Sequence, residues 1–544
     1  MALAVYVPGQ DRPMSVPESG SETVERVIKR AGKAKARADS WHDQYEDAYS
    51  MCLPDRNLIT KYARGERTVD RVFDSTGIEA IYHFANELQQ ALTPPEYHWV
   101  RFVPGAGVPE EDRDDVAREL EGWTYVFHEA LRNSNFQSVV HEAYLDLAIG
   151  TGAIRVRPGR VTALHFDALP LAKLAIDEGP HGTVQNVYRE WSLPLELVPR
   201  TWPGATIPPD LQPRLADKPD EPVEVLDVCW YDDKYRIYRN LVIFEKSRHL
   251  AYEDAALDSE WAVFRWAVRS GETHGRGPAL VALPDIKTLN RLVQLIMANA
   301  AMAVSGSFTG IDDGVLNPYN TRFGPGAIIP VRDHDSLRPL QASHQFDVSM
   351  IQMERLQKRI EAFFLKDDFG PVDSPTKSAT EILLRNERLV KKIGGAFGRL
   401  QREMISPLVR KVVLVLQEQE ILPPELSVNG TAVDIQFTGP LAQAQYAEEV
   451  RSTRELIQMI AETGGAEALA IAMKIEQLPA FFASRLGAPM TLVRSEDEVS
   501  AMKDELAAQA AAAQAGGSTP APAGMPAPAG PVPTGSGQAP PGVM

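Results

Sequence analysis

One stretch of this chain, Lys377 to Lys411, constrains its fold more than any other, because it asks for a single long helix that bends. Ser378-Ala379-Thr380-Glu381 forms a capping box at its start. The serine hydroxyl can accept an early backbone N–H, and the glutamate can reach back to the cap. Leu389, Ile393, Phe397, Leu400, Met404, Leu408 and Val412 then recur every three or four residues, so one face stays apolar and must be covered by other elements. Gly394-Gly395 loosens the backbone and Pro407 removes a hydrogen bond, which predicts kinks rather than an end. The same stretch holds nine basic residues (Lys377, Arg385, Arg388, Lys391, Lys392, Arg399, Arg402, Arg410, Lys411) against three acidic ones (Glu381, Glu387, Glu403), in a chain whose net charge is -17. Two readings stand side by side: a wetted face on a core helix, or local contact with a polyanion.

The overall acidity excludes a protein that wraps nucleic acid over its whole surface, since such binding is driven by phosphate neutralisation. Contact with DNA must be local or weak. With 544 residues and 44% hydrophobic content the chain can build cores, in roughly three or four domain-sized units. The longest apolar-looking run, Leu292 to Gly306, is broken by Gln294 and Asn299 and falls short of the roughly 18 to 20 residues a bilayer crossing needs. The first residues lack the apolar segment of a secretory signal, so a soluble intracellular product is expected, with no membrane partner. Cys52 and Cys229, far apart and without a CxxC neighbour, supply neither a disulfide framework nor a zinc site and are expected as small buried hydrophobes. Asn429-Gly430-Thr431 is then simply a turn.

The hydrophobic period changes along the chain, which predicts an α+β protein. Residues 1–20, rich in Pro, Ser and Gly, are expected as a flexible N-terminal arm. Glu22 to Leu53 reads as helix, with Trp41, Tyr45 and Tyr49 four residues apart as a packing face, and Pro54 stops it. Asp74-Ser75-Thr76-Gly77 offers capping oxygens to a helix running from Ile78 to Leu92, closed by Thr93-Pro94-Pro95. Residues 111–150 read as further helix. Strands are expected on either side of Pro158-Gly159 within Ala153 to Phe166, on either side of Asp232-Asp233 within Val223 to Phe244, and over Trp261 to Val268. The proline-dense stretch Pro199 to Pro222 reads as an exposed loop. Helix returns from Pro278 to about Ala303 and again near Phe346 to Leu365, separated by a β-like insert. Beyond Pro423-Pro424 a short β segment ends at Gly439-Pro440, and helices follow to about Gln514. The end, from Gly516, is mostly Pro, Ala and Gly and cannot bury enough surface to order itself.

Catalytic constellations are missing. There is no phosphate loop, and Gly275-Arg276-Gly277 lacks the third glycine of a dinucleotide turn. His128-Glu129 and His141-Glu142 have no second histidine four residues after the first, so metalloprotease chemistry has no ligand set. No Gly-x-Ser-x-Gly elbow occurs. Asp74-Ser75-Thr76-Gly77 is one residue too long for an aspartic protease loop and has no second copy. The acidic pairs Asp114-Asp115, Asp232-Asp233 and Asp367-Asp368 are read as solvated loop acids. No catalytic residue, cofactor or metal site is assigned.

Several blocks, taken in order, carry a resemblance. They are the Trp41/Tyr45/Tyr49 helix; Asp74-Ser75-Thr76-Gly77 with the helix to Leu92-Thr93-Pro94-Pro95; and Gly275-Arg276-Gly277-Pro278-Ala279 followed by Leu283-Pro284-Asp285-Ile286 and Leu289-Asn290. Thr380-Glu381-Ile382 with Arg385-Asn386-Glu387-Arg388, and Gly439-Pro440-Leu441-Ala442 with Ala444-Gln445, complete the set. Over most of residues 24–450 the chain resembles the portal, or head-to-tail connector, family of short-tailed double-stranded DNA bacteriophages. The resemblance implies a non-enzymatic ring, usually of twelve copies, at one capsid vertex of the virion, assembled in the host cytoplasm. The ring would be the conduit for genome packaging and ejection. Its implied partners are the duplex DNA in the channel, the major capsid and scaffolding proteins, a terminase motor that spends ATP, and tail adaptor proteins.

The mainly helical portal fold so implied divides the chain into a wing (21–277, helical then β-rich), a stem helix (278–303), a β-containing clip (304–345) and a second stem helix (346–365). A channel loop (366–377), the long kinked helix with a return to the wing (378–440), a helical crown (441–514) and the Pro/Ala/Gly tail (515–544) follow. The channel loop points to Lys366 and Lys377 as DNA contacts, with Lys358 a third candidate on the preceding helix. The alternatives are another virion structural protein, of the tail or internal core, and a metal-dependent DNA-processing enzyme.

Overall fold

The computed structural model describes residues 2–8, 13–56, 71–105, 107–109, 112–305, 308–310, 337–339, 346–366, 392–424 and 433–486, with isolated positions beyond. The capping box, Lys377, Asp367-Asp368, Leu389, Asn429-Gly430-Thr431, most of 304–345 and the tail from 515 lie outside them.

The arm expected to be flexible contains two strands, β1 (Ala2–Val5) and β2 (Met14–Pro17), paired antiparallel. Val5 and Val16 are buried against Ile237 and Ala255, which anchors a segment whose Pro, Ser and Gly content hid its two apolar contacts. The helix expected as one piece from Glu22 to Leu53 is two, α1 (Ser21–Asp39) and α2 (His42–Cys52). The Ser40 hydroxyl donates to the Arg37 carbonyl at 2.7 Å, a local bond that competes with helix continuation at the break.

Next come α3 (Thr76–Leu92), β3 (Val100–Pro104), α4 (Arg113–Arg132), α5 (Phe136–Ile149), β4 (Thr151–Pro158) and β5 (Leu164–Ala168). Strands β6 (Leu174–Glu178) and β7 (Val184–Pro194), short helices α6 (Leu197–Thr201) and α7 (Gln212–Asp217), and strands β8 (Pro222–Asp232), β9 (Ile237–Phe244), β10 (His249–Ala256) and β11 (Trp261–Arg265) follow.

Strands β6 to β10 form one antiparallel sheet in the order β10-β9-β8-β7-β6. Its two faces follow from the alternation of β9. Leu241 and Ile243 face α1, whose Val24, Val27, Ala31 and Ala34 lie on one helical face. Val242 and Phe244 face the other way, toward Val198 and Trp202. The stretch expected as an exposed loop therefore covers a sheet face and carries α6 and α7; Trp202 and Val198 needed an apolar surface that only the sheet supplies.

A second sheet, β11-β4-β5, and a third, β14 (Val433–Phe437) with β3, border the main core. Arg155 on β4 joins the first two sheets: its guanidinium meets Asp227 at 2.6 Å and Glu260 at 2.8 Å, all largely buried. Burial opposes ionisation of Glu260, but Arg155 and Lys411 hold its carboxyl below the usual range.

The later helices are α8 (Pro278–Ser305), α9 (Phe346–Phe363), α10 (Gly395–Leu400), a five-residue π turn (Gln401–Ile405), α11 (Ser406–Glu418), α12 (Pro440–Ala472) and α13 (Leu478–Leu486). Between α8 and α9 the described residues include a short strand pair, β12 (Phe308–Gly310) and β13 (Leu337–Pro339). Where this stretch is described, from Lys392 onward, its irregularities fall at the glycine pair and just ahead of the proline. Gly394 has φ 47°, a backbone that disfavours any side chain, and the π turn ends just ahead of Pro407. Widening the helix there relieves the clash a proline ring makes with the carbonyl four residues back. Ile393, Phe397, Leu400, Met404, Leu408 and Val412 are all buried in the main core, as their spacing required. Cys52 and Cys229 are buried and free.

Candidate assembly and nucleic-acid interface

Three of the blocks that carry the resemblance meet at the base of the α8/α9 pair, while Gly439 packs near Trp99 and Ala91 and Thr380 to Arg388 lies outside the described residues. Gly275 and Gly277 are glycines because two backbones touch there: a Cβ on Gly277 would lie 2.1 Å from the Ala148 carbonyl oxygen, and one on Gly275 2.2 Å from that of Gly150. Arg276 between them lies over the Trp41 ring at 4.6 Å and bonds Glu272 through two nitrogens. The Asn290 side chain on α8 accepts the Phe73 N–H at 2.6 Å and donates to the Arg71 carbonyl at 2.9 Å. Asp74 takes the Thr76 N–H at 2.9 Å, capping α3 as expected, and its second oxygen accepts from Gln357 on α9 at 3.3 Å. Gly77 packs on Ile286 and Cys52. Tyr49 donates to buried Asp146 at 2.7 Å, and Trp41 stacks on Tyr45, so the ring stripe is a packing face.

From this base α8 and α9 run out of the core. Ala279, Ala282, Ile286 and Leu289 near the start of α8 are buried, and so are Ile360 and Phe364 near the end of α9. The far ends are not: Leu295 and Met297 on α8, and Met350 and Ile351 on α9, are each about half exposed or more. Arg359 near the end of α9 pairs with Asp285 near the start of α8 at 2.8 Å. The apolar side chains on the outer turns of this 28-residue helix are left uncovered by the described residues.

The lysines do not form one cluster. Lys358 is exposed on α9 and has no hydrogen bond or ion pair among the described residues. Lys366 lies just past the end of α9, half-buried, with its ammonium against Glu361. Lys377 lies outside the described residues. The basic run on the kinked helix also divides. Lys392 and Arg402 are exposed, Arg399 donates to the Trp266 carbonyl at 3.1 Å, and Lys411 is only 5% exposed. At its C-terminal end Lys411 is buried among protein atoms.

A buried pair that sequence reasoning missed pins the π turn. Arg265 at the end of β11 bonds both oxygens of Glu403, at 2.8 and 3.2 Å, and also contacts Glu178 and the carbonyls of Thr273 and Gly182. Glu403 was visible only as a lone acid amid arginines. No group of three or more His, Cys, Asp or Glu side chains suited to a metal ion occurs among the described residues, and no described helix is long and apolar enough to cross a membrane.

A family model described as bacteriophage head to tail connecting protein matches residues 24–493. The chain belongs to that family. The connector is similar to the probable portal protein of Bordetella phage BPP-1, at 24% identity over 91% of this chain and 93% of the relative. It is also similar to the portal proteins of Salmonella phage epsilon15, at 21% identity over 90% and 92% of the two chains, and Enterobacteria phage T3, at 20% over 73% and 77%. Among solved structures it is similar to one titled as the neck of an empty GTA particle computed with C6 symmetry, at a TM-score of 0.33 and 12% identity, over 79% of this chain and 96% of that one. So slight a structural likeness bears on nothing that follows. As a head-to-tail connector the protein is a structural component of the phage virion and not an enzyme.

Proposed function

We propose that the connector assembles as a ring, of twelve copies as the resemblance implies, at one capsid vertex, and that the genome passes through its bore in packaging and ejection. The observation that carries this reading is the α8/α9 pair, anchored at one end in the core and apolar on uncovered outer turns. Helices of this kind bury their outer faces against identical neighbours when copies close into a ring. On this reading α8 and α9 are the stem and β12/β13 belong to the clip. Residues 21–277 form the wing and α12/α13 lie in the crown. The partners are part of the proposal as well: capsid and scaffolding proteins, terminase motor and tail adaptors. Exposed Lys358, with Lys366 and Lys377, would meet passing phosphates.

Native mass measurement and negative-stain imaging of the purified protein test the assembly. A ring with a central pore is expected; monomer alone at micromolar concentration overturns the reading.

A further inference from the structure

A cavity of about 240 Å³ lies where the π turn and the start of α11 pass the strand ends of the two larger sheets. Its charged lining is Arg402, Arg410, Asp258 and Glu403. Glu403 is already committed to Arg265. Neither Arg402 nor Arg410 has a hydrogen bond or ion pair among the described residues, and the buried Arg410 Nε has no acceptor. A buried donor left unpaired costs about 1–3 kcal/mol. The cavity therefore holds two guanidinium groups against the single uncommitted carboxylate of Asp258, and one of them waits for an acceptor.

We propose that this cavity receives an aspartate or glutamate side chain from a second copy of the chain, held by Arg402 and Arg410. The proposal rests on the ring reading above and adds a specific contact to it. Three observations favour a neighbour's carboxylate. The space, about eight water volumes, admits one side chain. The chain carries 73 acidic residues against 56 basic ones, so every copy has carboxylates in excess to offer a neighbour. Guanidinium groups pair with carboxylates through fixed, often two-pronged hydrogen bonds, and such contacts concentrate binding energy at interfaces.

Two measurements test it. In the first, Arg402→Glu and the double variant Arg402→Glu/Arg410→Glu are compared with the wild type by native mass measurement across a concentration series, with circular dichroism as a check on folding. Arg402 is exposed, so its single replacement leaves the monomer folded. The expected result is about a tenfold rise in the concentration needed to form rings, the size of one charge-assisted hydrogen bond lost per interface. In the second, Arg402→Lys/Arg410→Lys chains, half of them labelled with nitrogen-15, are assembled together and treated with a zero-length carbodiimide. Peptides joining Lys at 402 or 410 to an acidic residue of the opposite isotope label are expected.

Rings that form at wild-type concentration in both acidic variants overturn the proposal. So do cross-links confined to one chain, which would make the occupant one of the chain's own acids, and so does normal assembly coupled with lost DNA retention, which would make it a phosphate. A wild type that stays monomeric defeats the ring reading as well, which separates the two failures.

Discussion

His274 shows how much a single buried side chain contributes without any partner. It is 1% exposed between Trp41 and Tyr45, and neither ring nitrogen has a hydrogen bond among the described residues. Burial, with the charges of Arg265 and Arg37, pushes its pKa down to about 4. Below its ordinary value of 6.5 the unfolded chain binds a proton that the folded chain refuses. The stabilisation is therefore complete above that value and lost as pH falls toward 4, by up to about 1.4 kcal/mol per pH unit. His274→Phe should flatten the acid limb: urea midpoints compared between about pH 7 and pH 5 should differ less than in wild type. An unchanged difference refutes this account. The Arg265–Glu403 pair makes a different claim. Glu403→Ala leaves a guanidinium that is 2% exposed facing only Glu178 and backbone carbonyls, so a loss of about 3–5 kcal/mol in unfolding free energy is expected. A loss under about 1 kcal/mol would show that Glu178 suffices.

At the scale of elements, the described helical run from Gly395 to Glu418 was legible in sequence, because its breakers are local. Glycine and proline act on their own backbone, and the apolar stripe repeats every turn regardless of context. Gly394→Ala should cost about 1–3 kcal/mol, since φ 47° with ψ −120° suits no side chain. Gly395→Ala, with nothing within 4 Å of its Cβ and a helical backbone, should be neutral or slightly stabilising. Equal effects at the two glycines, read by chemical denaturation, would remove Gly394 as the cause of the kink. The elements that were missed depend on distant contacts. β7 interleaves Gln185, Asn186, Arg189 and Glu190 with its apolar residues, and β10 carries Glu253 and Asp254, so neither shows a clean alternation. Glu253 is tolerated because Arg239 on β9 meets it at 2.7 Å, a pairing no short window contains. The two strands of the N-terminal arm, and the cover that Trp202 gives the sheet, were hidden for the same reason.

For the whole molecule, function was legible through the order of short blocks, and in the structure Asn290, Asp74, Gly77 and the Gly-Arg-Gly turn all seat α8 and α9 on the core. The lysines proposed to meet DNA were less legible, since a lysine's charge in sequence says nothing of its partner. Lys366 faces Glu361, so its charge is already offset, whereas Lys358 is unpaired among the described residues. If passing phosphates feel these charges, reversal should matter more at Lys358 than at Lys366. Lys358→Glu also places an acid near Glu354 and Glu361, which costs a few tenths of a kcal/mol per pair on the helix, too little to prevent folding. Rings of Lys358→Glu should therefore assemble normally, while particles built with them package or retain less genome. The deficit should shrink as salt screens the bore. Lys366→Glu should give a smaller deficit, and Lys377→Glu tests the third position. Genome content measured in purified particles decides the matter: full, stable packaging in all three variants removes the lysines from the proposed DNA path.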